Sequence, residues 1–242
     1  MMKTWAITDV GLVRKENQDA YRIARGGDVC VVCDGMGGAA GGQIASTLAA
    51  ETYAAELEKI LKPDMPPEQL REASSYAVAM ANLAVENRAS EDDELSNMGT
   101  TLVSAIAYEG GAVVTNVGDS RAYYINRAGI TRITKDHSLV ESMVDHGDIT
   151  ADEARHHPSR NLITRALGRD TNASCDGYIR PMEKGDYLLL CTDGLVNTVT
   201  DQEMLFEVLH GQDEDSCLHR LMEIAKSQGA PDNVTAVLMR ML

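Results

Sequence analysis

Two apolar runs in this sequence end in the same pair of residues: "VVCDGMGG" delivers Asp34-Gly35 and "LLLCTDGL" delivers Asp193-Gly194. Further acids stand at comparable places, Asp119 in "NVGDSR", Asp232 in "APDNV" and Asp19 in "KENQDA". Taken singly, each reads as a turn residue, because Asp-Gly after a strand is the commonest short turn signal. Asp176-Gly177 is read as just such a turn. Converging, the acids would do chemistry. Carboxylates joined by a backbone carbonyl, with no histidine or thiolate at the same positions, suit hard cations such as Mg²⁺ or Mn²⁺ and disfavour zinc. Two such ions about 3.5 to 4 Å apart share a bridging water, lower its pKa and hold the hydroxide in line with a phosphorus atom. Gly35 would serve twice, its carbonyl binding metal and its missing side chain leaving room for a substrate. Arg14, in "GLVRKENQD", could clamp phosphate oxygens through its planar fork. An ordinary surface ion pair is the alternative for that arginine.

Such acids need strands to carry them. Apolar patterns predict strands at about 4–10 and 28–33, then helices at about 42–61 and 67–88 with small apolar residues recurring every three or four positions. Pro66 and Pro67 fit the opening of the second helix. Glycine-containing turns punctuate 101–134 at hairpin intervals and predict a four-stranded antiparallel meander. Residues 136–172 look irregular, with one short helix from the capping box Thr150-x-x-Glu153 to Pro158, and form a candidate flap. Strands follow at about 174–180 and 186–192. A helix opens at Thr200-x-x-Glu203, a second ends at Gly229 before Pro231, and "NVTAVLMRM" is the last strand. Strands in runs and helices in pairs favour antiparallel sheets covered by helices over a parallel doubly wound sheet.

Composition removes several functions. A chain of 242 residues, 44% hydrophobic, fits one domain with one sizeable core. No apolar run reaches the roughly 18 residues of a membrane span, and "MMKTWAITDVG" lacks the apolar core of a signal peptide, so a cytoplasmic protein is expected. A formal charge of −15 leaves no basic stripe for nucleic acid. The five cysteines, an odd number, suit a reducing compartment. Cys30 and Cys33 form a CxxC, but on a strand that spacing points them to opposite faces, which makes them core residues. Gly35-x-Gly37-x-x-Ala40 resembles a dinucleotide loop, yet helical pattern runs on to about residue 88 where that fold needs a second strand. No Gly-Lys-Ser/Thr makes a P-loop, and Cys175 and Arg180 are one residue too close for a thiol phosphatase loop. His137, His146, His156 and His157 are too irregularly spaced for a metal site and are assigned to the flap or surface.

Read in order, "TDVGLVRKENQDA", "VCDGMGGAAGG", "GTTL", "NVGDSRAYYI", "KDHSLV", "HPSRNLITRALG", "LLLCTDGL" and "PDNVTAV" resemble the bacterial branch of the metal-dependent protein phosphatase (PPM) family, the type 2C serine/threonine phosphatases. The resemblance spans about residues 4 to 239. It implies an α+β fold, a four-layer α-β-β-α sandwich of two antiparallel sheets flanked by helix pairs, with metals at one end. It implies two core ions, Mn²⁺ or Mg²⁺, bridged by Asp34, with Gly35 giving its carbonyl and Asp193 and Asp232 completing the first site. Asp19 would act largely through water, and Asp119 would hold a third, weaker ion beneath a flap of about 136–170. Asn233 would stand behind the ligands, and Arg14 would bind the substrate phosphate. Animal members carry a proton-donating histidine where this chain has Met36, whose thioether cannot donate. The implied substrates are phosphoserine and phosphothreonine in proteins, including a eukaryotic-type kinase and its targets, with no nucleic acid or membrane partner and a monomeric enzyme. The rival is a catalytically idle binding module built on the same fold.

Overall fold

The computed structural model describes residues 1–169 and 174–242, apart from the side chains of Ala39 and Ala40. The end of the expected flap at Asp170 therefore lies outside the described residues. In chain order the elements are β1 (Met2–Asp9), β2 (Asp19–Ala24), β3 (Val29–Met36), α1 (Gly38–Ile60), α2 (Pro67–Ser90), β4 (Gly99–Thr100), β5 (Leu102–Tyr108), β6 (Gly111–Val117), β7 (Arg121–Asn126) and β8 (Gly129–Arg132). They continue with α3 (Leu139–His146), α4 (Ala151–His156), β9 (Asp176–Pro181), β10 (Tyr187–Cys191), α5 (Asp193–Val196), α6 (Asp201–His210), α7 (Glu214–Ser227) and β11 (Val234–Met241).

Two antiparallel sheets result, ordered β1-β11-β10-β7-β8 and β2-β3-β5-β6-β9, with β4 paired to β3. Three apolar layers explain why the central strands are hydrophobic without alternation. On β3, Val29, Val31 and Cys33 face α1 and α2, where the alanines 45, 49, 73, 77 and 81 let the helices approach closely. Cys30 and Val32 face the other way, into the layer between the sheets, with Val103, Leu188, Leu190, Val237 and Met239. On β10, Leu189 and Cys191 face α6 and α7 through Met204, Val208, Leu218 and Leu221. Strands buried on both faces read as continuous apolar runs, and the outcome is the four-layer α-β-β-α sandwich. Cys30 and Cys33 lie in different layers, and burial pushes the Cys30 thiol up to about 12. They are core residues.

Several sequence expectations need correction. The meander over 101–134 is two hairpins in two sheets: β5 and β6 belong to one, β7 and β8 to the other. Gly118-Asp119-Ser120 is therefore a corner where the chain crosses between sheets, although its composition is that of a hairpin turn. Asp176-Gly177 is no turn; both residues lie on β9 and pair with Asn116 and Thr115. The first helix begins at Gly38, four residues before the apolar periodicity, and its Gly41 and Gly42 pack closely against Met98 and Gln18. The flap contains α3 as well as α4. Ser138 caps α3 by accepting from the Glu141 N–H, and Gly147 ends it in the left-handed conformation.

Candidate metal centre

The register brings the acids to one end of both sheets. Asp19, at the start of β2, is the cross-strand partner of Asp34 near the end of β3. The Thr101 N–H donates to the Asp34 carbonyl at 2.9 Å, so β5 begins where β3 delivers its acid. The 118–120 corner follows β6, whose Val117 is paired with Leu102. In the other sheet Asp193 follows β10 and Asp232 precedes β11, which is antiparallel to it. Asp34 is the hub. Burial first, then the charges of Asp19, Asp193, Asp119 and Asp232, hold its carboxyl far above the ordinary range.

Hydroxyl groups fix this end of the molecule. Asp19 is buried, and its Oδ2 accepts from Thr192 Oγ1 at 2.9 Å and Thr235 Oγ1 at 2.7 Å, which bolts β2 to β10 and β11 across the two sheets. Thr101 Oγ1 accepts from the Asp34 N–H at 2.9 Å and shares a 2.7 Å bond with Ser120 beside Asp119. Asn233 Oδ1 accepts from the Gln18 N–H, and its Nδ2 donates to the carbonyls of Val10 and Glu16. It thereby sews the 10–18 loop down beneath Asp232. Sequence reasoning reached Asn233 but missed Thr235, since threonine in a strand is unremarkable, and Thr101, Ser120 and Thr192, which stand just outside strands where a hydroxyl residue gives no signal of its partner.

The glycines of both Asp-Gly pairs have a steric reason. A Cβ at Gly35 would overlap the Gly42 carbonyl and come within 2.7 Å of the Gln18 carbonyl. A Cβ at Gly194 would overlap the Asn233 carbonyl. The space beside Gly35 is thus filled by the first turn of α1 and is not room for a substrate, which corrects the sequence expectation. Backbone cannot yield as a side chain can, so Gly35→Ala is expected to cost about 3 kcal/mol, the upper end of overpacking. Equilibrium urea unfolding measures this, and a loss below about 1 kcal/mol would show that α1 shifts freely.

Charge in the centre is held by burial and proximity. Burial pushes Asp19 to about 7 against the two threonine bonds, with Asp193 and Asp232 adding to the rise. Asp119 reaches about 7 through burial and the charges of Asp193 and Asp136. Asp193 reaches about 6 through burial and Asp232, while a bond with Asp34 and the charge of Arg14 oppose the rise. Arg14 Nη2 donates to Asp232 Oδ2 at 2.7 Å from an exposed position on the 10–18 loop, so the predicted phosphate clamp stands at the lip of the acids. Gly11, at φ +77°, lets that loop close onto the Asp232 carbonyl.

The donor set fits hard cations. Asp19 Oδ1 and Asp193 Oδ1 are buried without a hydrogen-bond partner, an arrangement that a cation would satisfy. Among the described residues no three His, Cys, Asp or Glu side chains close into a ready-made cage. Any cation would take part of its coordination from carbonyls and water, as Mg²⁺ does.

The protein phosphatase 2C sequence profile matches residues 13–239. The chain belongs to the protein phosphatase 2C family. It is 38% identical over 235 residues to the serine/threonine protein phosphatase PstP of Mycobacterium tuberculosis, a match covering 96% of this chain and 44% of PstP. It therefore spans less than half the length of that relative. The serine/threonine phosphatase stp of Listeria monocytogenes is 32% identical over 96% of this chain and 93% of its own length. Among solved structures, the catalytic domain of PstP in complex with two manganese ions superposes with a TM-score of 0.85 at 33% identity, covering 99% of this chain and 97% of that one. That superposition takes in nearly all of the two-sheet architecture described above.

Proposed function

We propose that the chain is one catalytic domain that hydrolyses phosphoserine and phosphothreonine in proteins. The observation that carries this reading is the convergence of Asp19, Asp34, Asp119, Asp193 and Asp232 on one end of the sandwich, where the other four acids act on Asp34. Asp34, the Gly35 carbonyl, Asp193 and Asp232 would hold two Mn²⁺ or Mg²⁺ ions, with Asp19 contributing through water and Asp119 holding a third, weaker one. The PstP complex with two manganese ions supports the choice of metal. Such ions, when bound, supply the acidified water and the neutralised charge that phosphate ester hydrolysis needs.

The chain's own residues do the rest. Asp19, bonded to Thr192 and Thr235, keeps the two sheets in the alignment that the acids share. Arg14 offers a planar fork at the rim, where it would exchange Asp232 for phosphate oxygens. Met36, at the end of β3, has no proton to give, so another group protonates the leaving oxygen. Phosphoserine and phosphothreonine are made by kinases, so the partners are a serine/threonine kinase and its protein targets, met in the bacterial cytoplasm by a monomeric enzyme. The charge of −15 speaks against nucleic acid. No described helix is long and apolar enough to cross a membrane.

Phosphate release from a phosphothreonine peptide, with Mn²⁺ and with chelator, tests the proposal. Release that requires metal is expected, and Arg14→Ala should raise KM about tenfold with a smaller change in kcat. No release with any metal, from folded protein, would move the idle binding module to the front.

A further inference from the structure

The side chain read from sequence as a turn residue, Asp176, leads to a chain of contacts that ends at Asp119. His137 is buried on the loop before α3 and grips Gly118 twice. Its Nδ1 accepts from the Gly118 N–H at 3.1 Å, and its own N–H donates to the Gly118 carbonyl at 2.9 Å. Gly118 sits at φ +100°, where an added Cβ would lie only 2.6 Å from Thr101 Cγ2, so this corner admits glycine alone. Among the described residues no neighbouring side chain bonds the Asp119 carboxylate, whose placement consequently rests on this corner.

The histidine is itself oriented. Because Nδ1 accepts, the ring proton of the neutral imidazole is on Nε2. That nitrogen lies 3.3 Å from Asp176 Oδ2. Arg165 Nη1 is 3.2 Å from Asp176 Oδ1 and 3.2 Å from the same imidazole nitrogen, and Tyr178 donates to Asp176 Oδ2 at 3.4 Å. Burial lowers the His137 pKa, which favours the neutral form that this arrangement requires.

We propose that His137 is the positioning residue of the Asp119 corner, held in its working tautomer by Asp176, which Arg165 secures in turn. The proposal rests on the reading of Asp119 as a cation ligand. A carboxylate that fixes an imidazole so that the imidazole can fix a site is the usual logic of groups standing behind metal ligands, whose loss costs about 10- to 100-fold in metal affinity. Here the imidazole acts on the ligand's backbone. It also ties the base of the flap, through the Thr164 N–H donating to the His137 carbonyl at 2.7 Å, to the corner.

The test uses amide hydrogen exchange of the metal-free protein and Mn²⁺ binding isotherms, for wild type, Asp176→Ala, His137→Phe, His137→Asn and Asp119→Ala. Asp176→Ala alters a half-exposed side chain, and its folding is checked by circular dichroism. Gly118 exchange should accelerate about tenfold or more in Asp176→Ala and His137→Phe, with the weakest class of Mn²⁺ sites weakened about tenfold. His137→Asn, which keeps an acceptor near Nδ1, should restore both. If Asp119→Ala weakens that class but folded Asp176→Ala changes neither exchange nor isotherm, the positioning role is overturned. An unchanged isotherm in Asp119→Ala overturns the cation reading and this proposal with it.

Discussion

Asp193→Asn is expected to lower phosphopeptide hydrolysis at saturating Mn²⁺ by about three orders of magnitude, comparable with or beyond the loss of one preorganised electrostatic group in other active sites. The same variant is expected to be more stable than wild type when metal is chelated. The carboxylate sits against Asp232 and Asp34 in a buried position, and burial and Asp232 push it up to about 6. Replacing it with a neutral amide relieves that repulsion and the share of it felt by Asp19, Asp34 and Asp119. Asn197 Nδ2, which donates to Asp193 Oδ2 at 3.1 Å, keeps a carbonyl oxygen to bond. A gain of about 1 to 2 kcal/mol would raise Tm by roughly 2 to 8 °C in a protein of this size. Turnover and calorimetry on the same preparation decide the matter. Loss of activity together with loss of metal-free stability would mean that Asp193 holds the fold and that its link to the chemistry is indirect.

Without metal, stability is expected to fall as pH rises from about 4 to about 8. Asp19 and Asp119 are pushed to about 7 and Asp193 to about 6, each from an ordinary 3.8, and Asp34 is raised as well. Across that window the folded chain keeps protons that the unfolded chain has released, so raising the pH favours unfolding. Asp9 and Asp176 work in the opposite direction. Despite burial, Asp9 is lowered by its bonds to Lys226 and the Gly11 N–H, and Asp176 by His137 and Arg165. Their stabilisation is lost only as pH falls below about 4. Metal-free Tm should therefore peak near pH 4 and drop by about 5 to 10 °C at pH 8. Saturating Mn²⁺ should remove most of the drop, because binding displaces the same protons. A metal-free Tm that is level or rising between pH 5 and 8 would show that these carboxylates do not crowd one another.

The parts of this architecture that were legible in sequence are those in which one residue type has one physical reason. Apolar runs without alternation signalled strands buried on both faces, and the Asp-Gly pairs at their ends marked where the backbone emerges. Thr150-x-x-Glu153 and Thr200-x-x-Glu203 both close as capping boxes. Long-range facts were hidden. "DAYRIA" forms β2 although its polar Arg22 breaks the apolar pattern, because the strand lies at a sheet edge. Gly118-Asp119-Ser120 has the composition of a tight hairpin, and only the pairing of β7 with β10 shows that the chain changes sheets there. Asp176 precedes a glycine and so looked like a turn, whereas its partners His137 and Arg165 come from the flap. Of the threonines that grip Asp19, Thr235 carries no signal because a strand favours threonine whether or not its hydroxyl is used, and Thr192 reads simply as the residue before a helix start.

The pairing of β1 with β11, from Met2 opposite Met241 to Asp9 opposite Val234, sets an order of events during synthesis. Among the described residues β11 is the one strand that β1 pairs with, and it is made long after β1. A nascent chain displays Asp19 and Asp34 early, but through most of translation it has neither Asp232 nor the strand that completes the first sheet. Until then β1 is an unpaired ribbon, open to chance association with other chains. Sequence-distant pairing of this kind also forms slowly. A ribosome that stalls before Asp232 would release a product without the last acid and without the sheet that holds Asp193 in place, so incomplete copies are silent by construction.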